Sequence, residues 1–218
     1  MTAVKTNTPN TRARFLTVLL LSLAAPAASA DEARKHQHEH QHTLPPAAGA
    51  ISGNSLYQLE STWRDQNGAA QPLRALAGRP VVAAMIYTSC EYACPLIVRD
   101  MLSIQNALSP TERAAARFVL FSFDPQRDTP SAMRDYAAHK QLPSPHWTLL
   151  AADDDATLEL AVALGVRYQP VAGGDFAHSN MVFVLNCGGE VTHRQEGLGL
   201  PPDQAAAAVR AAAGSCDG

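Results

Sequence analysis

Three things are scarce in this sequence. Basic charge is the first: 17 Lys and Arg stand against 20 Asp and Glu, a formal net charge of −3 with the eight His neutral. That excludes the strongly basic footprint of a nucleic-acid-binding domain. Membrane-length apolar runs are the second. The most apolar stretch, FLTVLLLSLAAPAA, falls short of the roughly 18 residues that favour a spanning helix. Internal repeats are the third, and their absence sets solenoids aside. What remains is 218 residues with 46% hydrophobic content, enough for one domain with extra segments.

The N-terminus has the pattern of an export signal. Lys5, Arg12 and Arg14 form a basic region without acids, the short apolar core follows, and Ala28-Ser29-Ala30 fits a small-x-small cleavage site. Cleavage after Ala30 removes three positive charges and leaves the chain at −6. An uncleaved N-terminal membrane anchor is the alternative. Export places the protein in the periplasm or an equivalent oxidising compartment, with no span after cleavage, and exposes all four cysteines to oxidation.

Residues 31–50 read as a flexible linker, poor in large apolar residues and closed by prolines. His36, His38, His40 and His42 alternate within it. Imidazoles at such density offer an auxiliary, weak metal site for copper, zinc or nickel, or simply a solvated tail.

From about residue 51 to 218 the chain reads as one α/β domain. PVVAAMIYT (80–88), RFVLFSFD (117–124), HWTLLAA (146–152) and NMVFVLN (180–186) are strand candidates. Ile97, Met101, Ile104 and Leu108 mark an amphipathic helix, with Pro95 in its first turn. Thr129-Pro130 opens a helix through about His139, Asp153 to Asp155 open another that stops at Gly165, and Pro201-Pro202 open a last one ending near Gly214. Asn67-Gly68 marks a polar turn, and Gly188-Gly189 a hairpin turn into EVTHR. This order predicts a central mixed sheet flanked by helices.

TSCEYACPL (88–96) carries the chemistry. Cys90 and Cys94 fall where a buried strand gives way to a helix, the edge at which open α/β sheets place their sites. At i and i+4 of a helical turn their β-carbons lie about 5–6 Å apart. That separation suits a redox disulfide, or two thiolates gripping one soft ion, and a helix start lowers a thiol's pKa for either use. A purely structural disulfide over so short a loop removes little chain entropy. His178, in a glycine-bounded loop before the fourth strand, is the candidate third donor. Two thiolates and an imidazole suit cuprous copper. As a bare position His178 reads first as an exposed loop histidine.

YTSCEYACP, FSFDPQRDTP and AHSNMVFVLN, in this order, resemble the Sco/SenC family of copper-binding thioredoxin-fold proteins. The similarity spans about residues 55 to 212. It implies a thioredoxin-like fold, copper as the bound metal, and Cys90, Cys94 and His178 as its ligands. It also implies a partner: a copper-receiving client, either a respiratory oxidase subunit or another copper enzyme, whose copper centre the protein helps to assemble. The family commonly has proline then aspartate after the first cysteine; here Glu91 and Tyr92 stand there. Asp124-Pro125 and Arg127-Asp128-Thr129-Pro130 match the family, and their physical reading is a strand exit and a capped helix start, with no metal role.

A different class stays open beside the metallochaperone. Cys90 and Cys94 would then be the catalytic pair of a thiol–disulfide oxidoreductase acting on cysteines of a client copper protein. A thiol reductant of the periplasm is a partner in either reading, because an oxidised pair cannot supply two thiolates. Reduction of peroxide by Cys90, with Cys94 resolving, has no further feature behind it. Cys187 and Cys216 have no copper role by resemblance. Export and their positions at element ends make them a candidate structural disulfide.

Overall fold

The computed structural model describes residues 52–142 and 145–216. The expected export signal and the His36–His42 tail lie outside the described residues. Among the described residues no helix is long and apolar enough to cross a membrane.

The described residues form nine strands and five α-helices. β1 (Thr62–Asp65) and β2 (Ala70–Pro72) form a hairpin, followed by β3 (Val81–Ile86), α1 (Ala93–Ala107), α2 (Pro110–Ala115), β4 (Arg117–Ser122), α3 (Pro130–His139) and β5 (Trp147–Ala151). Then come α4 (Asp154–Leu164), the short β6 (Tyr168–Pro170) and β7 (Phe176–His178), β8 (Met181–Leu185), β9 (Val191–Glu196) and α5 (Asp203–Gly214). Seven strands make one mixed sheet in the order β2-β1-β5-β4-β3-β8-β9. β3, β4 and β5 run parallel, as crossovers through helices allow, while β8 is antiparallel to β3. β6 and β7 pair only with each other, in a separate two-stranded sheet.

Burial explains the centre of the sheet. Every residue of β3 is buried, as its unbroken apolar run requires, and β4 is buried from Phe118 onward. α1 turns Ile97, Met101 and Ile104 inward, all at most 1% exposed. Each such side chain contributes about 1.5–3 kcal/mol of transfer free energy. α1 and α5 pack on β8 and on each other, so one helical layer covers the β3-β8 half of the sheet. Two polar groups on α1 are buried with partners: Asp100 accepts from the Gly199 N–H at 2.7 Å, and Gln105 accepts from the Trp147 indole N–H at 3.1 Å.

Local chemistry sets the element ends. The Thr129 hydroxyl accepts from the Ala132 N–H and Asp153 accepts from the Ala156 N–H, both N-caps. Gly165 ends α4 at φ +74°, the left-handed cap that glycine takes without cost. Gly189, at φ +84° in the β8–β9 turn, also has a steric reason: an added Cβ would stand 2.6 Å from the Tyr57 ring. Three elements have no counterpart in the sequence reading: the β1–β2 strands around the expected polar turn, α2, and the β6–β7 hairpin. All are short, and strands of three or four residues show no usable alternation.

Cys187 and Cys216 are joined as a disulfide with Cα atoms 5.4 Å apart. The bridge ties the end of α5 to the end of β8. Because Leu185 pairs with Val81, it lies at the opposite end of β3 from Cys90.

Candidate metal centre

The site grows from the carboxyl ends of β3 and β4, which are adjacent because the two strands run parallel. Asp128, 1% exposed, stitches these ends together. It accepts from the Thr88 N–H at 3.1 Å, the Thr88 hydroxyl at 2.5 Å and the Ser122 hydroxyl at 2.6 Å. Burial pushes its carboxyl above the usual range, only partly offset by these donors. Thr88 leads directly into Cys90, so the cysteine loop is anchored to the neighbouring strand.

Cys90 is not on the helix. α1 begins at Ala93, and Cys90 sits in the preceding turn, its N–H on the Tyr87 carbonyl at 3.3 Å. The expected i, i+4 helical pair is therefore corrected to a loop thiol facing a first-turn thiol. What joins them is the helix start itself: the Cys94 N–H, one of the orphan donors of the first turn, donates to Cys90 Sγ at 3.3 Å. Both thiols are free. Their acidities diverge. Burial pushes the Cys90 thiol up, but the Cys94 N–H and thiol, the Tyr92 N–H and the Tyr87 hydroxyl outweigh it, and the net direction is down. Cys94 is fully buried; burial drives its thiol well up, and Cys90 and Asp128 add to the rise. A helix start thus lowers one thiol of the pair and not the other.

His178 is the last residue of β7 rather than part of an irregular loop. Its Nδ1 lies 3.1 Å from the Ser179 carbonyl oxygen, which can only accept. Nδ1 is then the donor in that contact, and Nε2 is the ring nitrogen left to face the sulfurs. Nε2 lies 3.8 Å from Cys94 Sγ. The Cys90 and Cys94 sulfurs and a His178 nitrogen all fall within 4.8 Å of one another. Donors about 2.0–2.3 Å from a shared ion are at most about 4.6 Å apart. A slight inward shift therefore closes the three onto one soft cation. Among the described residues this is the one group of three such donors, and His139, His146 and His193 take no part in it.

Aromatic rings make the floor. The His178 ring lies 5.0 Å from Phe123 and 6.1 Å from Tyr87, and Phe176 packs on both of those rings. The Tyr87 hydroxyl lies 3.3 Å from an Asp175 carboxylate oxygen. At the mouth, Tyr92 is 82% exposed beside the buried sulfurs. The sequence reading missed Tyr87, Phe123 and Asp128. An aromatic or an acid beside a strand end has many uses, and no spacing signalled this one.

A family model for SCO1/SenC matches residues 52–214. The chain is similar to the SCO1 protein homolog of Bacillus subtilis (strain 168), 26% identical over 150 residues, 67% of this chain and 77% of that one. Among solved structures it is similar to BsSco, a member of the Sco family of cytochrome c oxidase assembly proteins. That match has 26% identity and a TM-score of 0.64 over 73% of this chain and 95% of the other. It shares its fold with Bradyrhizobium japonicum ScoI, solved with copper bound, at 24% identity and a TM-score of 0.59 over 69% and 96% of the two chains. The mixed sheet with flanking helices is thus the thioredoxin-like architecture of these Sco structures.

Proposed function

The chain belongs to the SCO1/SenC family, and on that premise we propose that it is an exported copper metallochaperone that holds copper through Cys90, Cys94 and His178. The observation that carries this reading is the convergence of those three donors, from a loop, a helix start and a hairpin strand, within 4.8 Å. Two soft thiolates and one imidazole match cuprous copper. Nothing in this donor set is hard oxygen, so calcium and magnesium are poor matches.

Copper here is cargo. Its arrival displaces the Cys94 proton, which burial otherwise holds on the sulfur, and meets a Cys90 sulfur already biased toward thiolate. His178 presents Nε2, the ring nitrogen that the Ser179 carbonyl does not engage. Release then requires a client to approach the face that Tyr92 marks. A respiratory oxidase subunit, or another copper enzyme, is the client class that this family membership favours. A periplasmic thiol reductant keeps the pair reduced between rounds.

The thiol–disulfide oxidoreductase reading uses the same two sulfurs, but leaves the His178 Nε2 beside Cys94 without a task. Copper titration of the reduced domain lacking residues 31–50 separates the two. One tightly bound copper per chain, lost in Cys90→Ala and in Cys94→Ala, is the expected result. Unchanged affinity in both variants rules the copper reading out and leaves the exchange of electrons as the use of the pair.

A further inference from the structure

The hairpin that carries His178 has no strand ladder to the main sheet: β6 and β7 pair only with each other. Side chains must therefore hold it. Tyr87 supplies one contact, its hydroxyl accepting from the Phe176 N–H at 3.5 Å. Arg127 supplies another. It belongs to the turn after β4, where its Nε is ion-paired to the buried carboxylate of Asp124. That pairing aims the rest of the guanidinium at the hairpin. The guanidinium carbon stands 5.7 Å from the centre of the Tyr87 ring and 5.7 Å from that of Phe176, within cation–π range of both. Its Nη1 reaches the hairpin tip, 3.4 Å from where a Cβ on Gly174 would lie.

One ring in this clamp precedes Cys90 by three residues, and the other precedes His178 by two. Arg127 therefore joins the cysteine side of the site to the histidine side without touching either set of ligand atoms. We propose that Arg127, held by Asp124, is a positioning residue that keeps His178 within reach of a metal held by Cys90 and Cys94. Lysine is a poor substitute, because a flat guanidinium can lie along two rings while also serving a carboxylate, and a point charge cannot. The inference rests on the copper reading above.

The test compares Arg127→Ala, His178→Ala and the double variant of the reduced full domain loaded with Cu(I). X-ray absorption counts nitrogen against sulfur donors, and chelator competition gives affinity. Arg127→Ala is expected to lose the imidazole contribution to the spectrum and to weaken binding by about 10-fold or more, the range for removing a support of a ligand. The double variant should bind within about twofold of His178→Ala, because both changes remove the same interaction. Retention of the imidazole contribution in Arg127→Ala, or multiplied losses in the double variant, overturns the proposal. If Arg127→Ala fails to unfold cooperatively on heating, Arg127→Gln is judged by the same criteria. A His178→Ala protein with unaltered spectrum and affinity overturns the ligand role of His178 itself, and with it this inference; a change in that variant alone overturns only the role of Arg127.

Discussion

The sulfur of Cys94 and the Nε2 of His178 stand 3.8 Å apart although 84 positions separate them in the chain. One is locked into the first turn of α1 under the sheet edge. The other rides on a hairpin outside the main sheet. A site made this way has a rigid half and a half that depends on side-chain packing. That division shapes the expected behaviour of its variants.

Removing the packed half should weaken the site without destroying it. His178→Ala is expected to lower copper affinity by about 10–100-fold, while the copper stoichiometry stays at one. Competition against a chelator of known affinity measures this. Unaltered affinity would make His178 a bystander.

Copper binding should release protons. Because the Cys94 thiol is held well above its ordinary value, it stays protonated through the neutral range and must lose its proton to bind. Apparent affinity should therefore rise by at least about tenfold per pH unit between roughly pH 6 and 8. A weakly buffered titration reads the released protons directly, and none released per copper contradicts the assignment of Cys94.

Asp128 should govern acid-range stability. Its carboxyl is higher in the folded protein than the unfolded value of about 3.9. Its contribution is thus fully present below about pH 4 and is lost as the pH rises through the folded value. Asp128→Asn should remove that dependence, so the gap in unfolding free energy between wild type and variant narrows or reverses with rising pH. Asp128→Ala, which strips three donors of their acceptor, should cost about 2–3 kcal/mol. Urea unfolding across pH 3.5–7 checks both.

The Cys187–Cys216 bridge should matter for stability and not for metal. Closing a separation of 29 residues is worth about 3–4 kcal/mol in the chain-entropy model. Replacing both cysteines by serine should lower stability by about that amount and leave copper affinity within about twofold. Non-reducing peptide mapping should recover the linked peptide, and a link from either residue to Cys90 or Cys94 would count against it.

The His-rich segment is a separate expectation. Deleting His36 to His42 should reduce the number of weakly bound metal ions and spare the tight site. Loss of the tight site would mean that the tail supplies a ligand.

Much of the architecture was legible because it is local. β3 and β4 are continuous apolar runs, α1 repeats its apolar residues at helical spacing, and Thr129, Asp153 and Gly165 are caps whose chemistry acts within a few residues. The position of Cys90 and Cys94 at a strand-to-helix junction followed from the same near-neighbour signals. His178 stood out as a candidate by its place before the fourth strand, and the family resemblance made it the expected third ligand. The remaining features depend on closure across the sheet. Parallel pairing of β3 with β4 is what brings Asp128 to Thr88. Docking of a two-stranded hairpin, too short for any period to show, is what brings His178 to Cys94 and the Phe176 ring to Arg127. The longer strands and helices, and the meeting of two thiols at a helix start, are written in the order of residues, since they depend on backbone preferences and burial along the chain. How closely His178 approaches those thiols, which acid anchors their loop and how differently the two sulfurs hold their protons came only with the folded arrangement. Those properties arise from desolvation and contact between residues that the chain keeps dozens of positions apart.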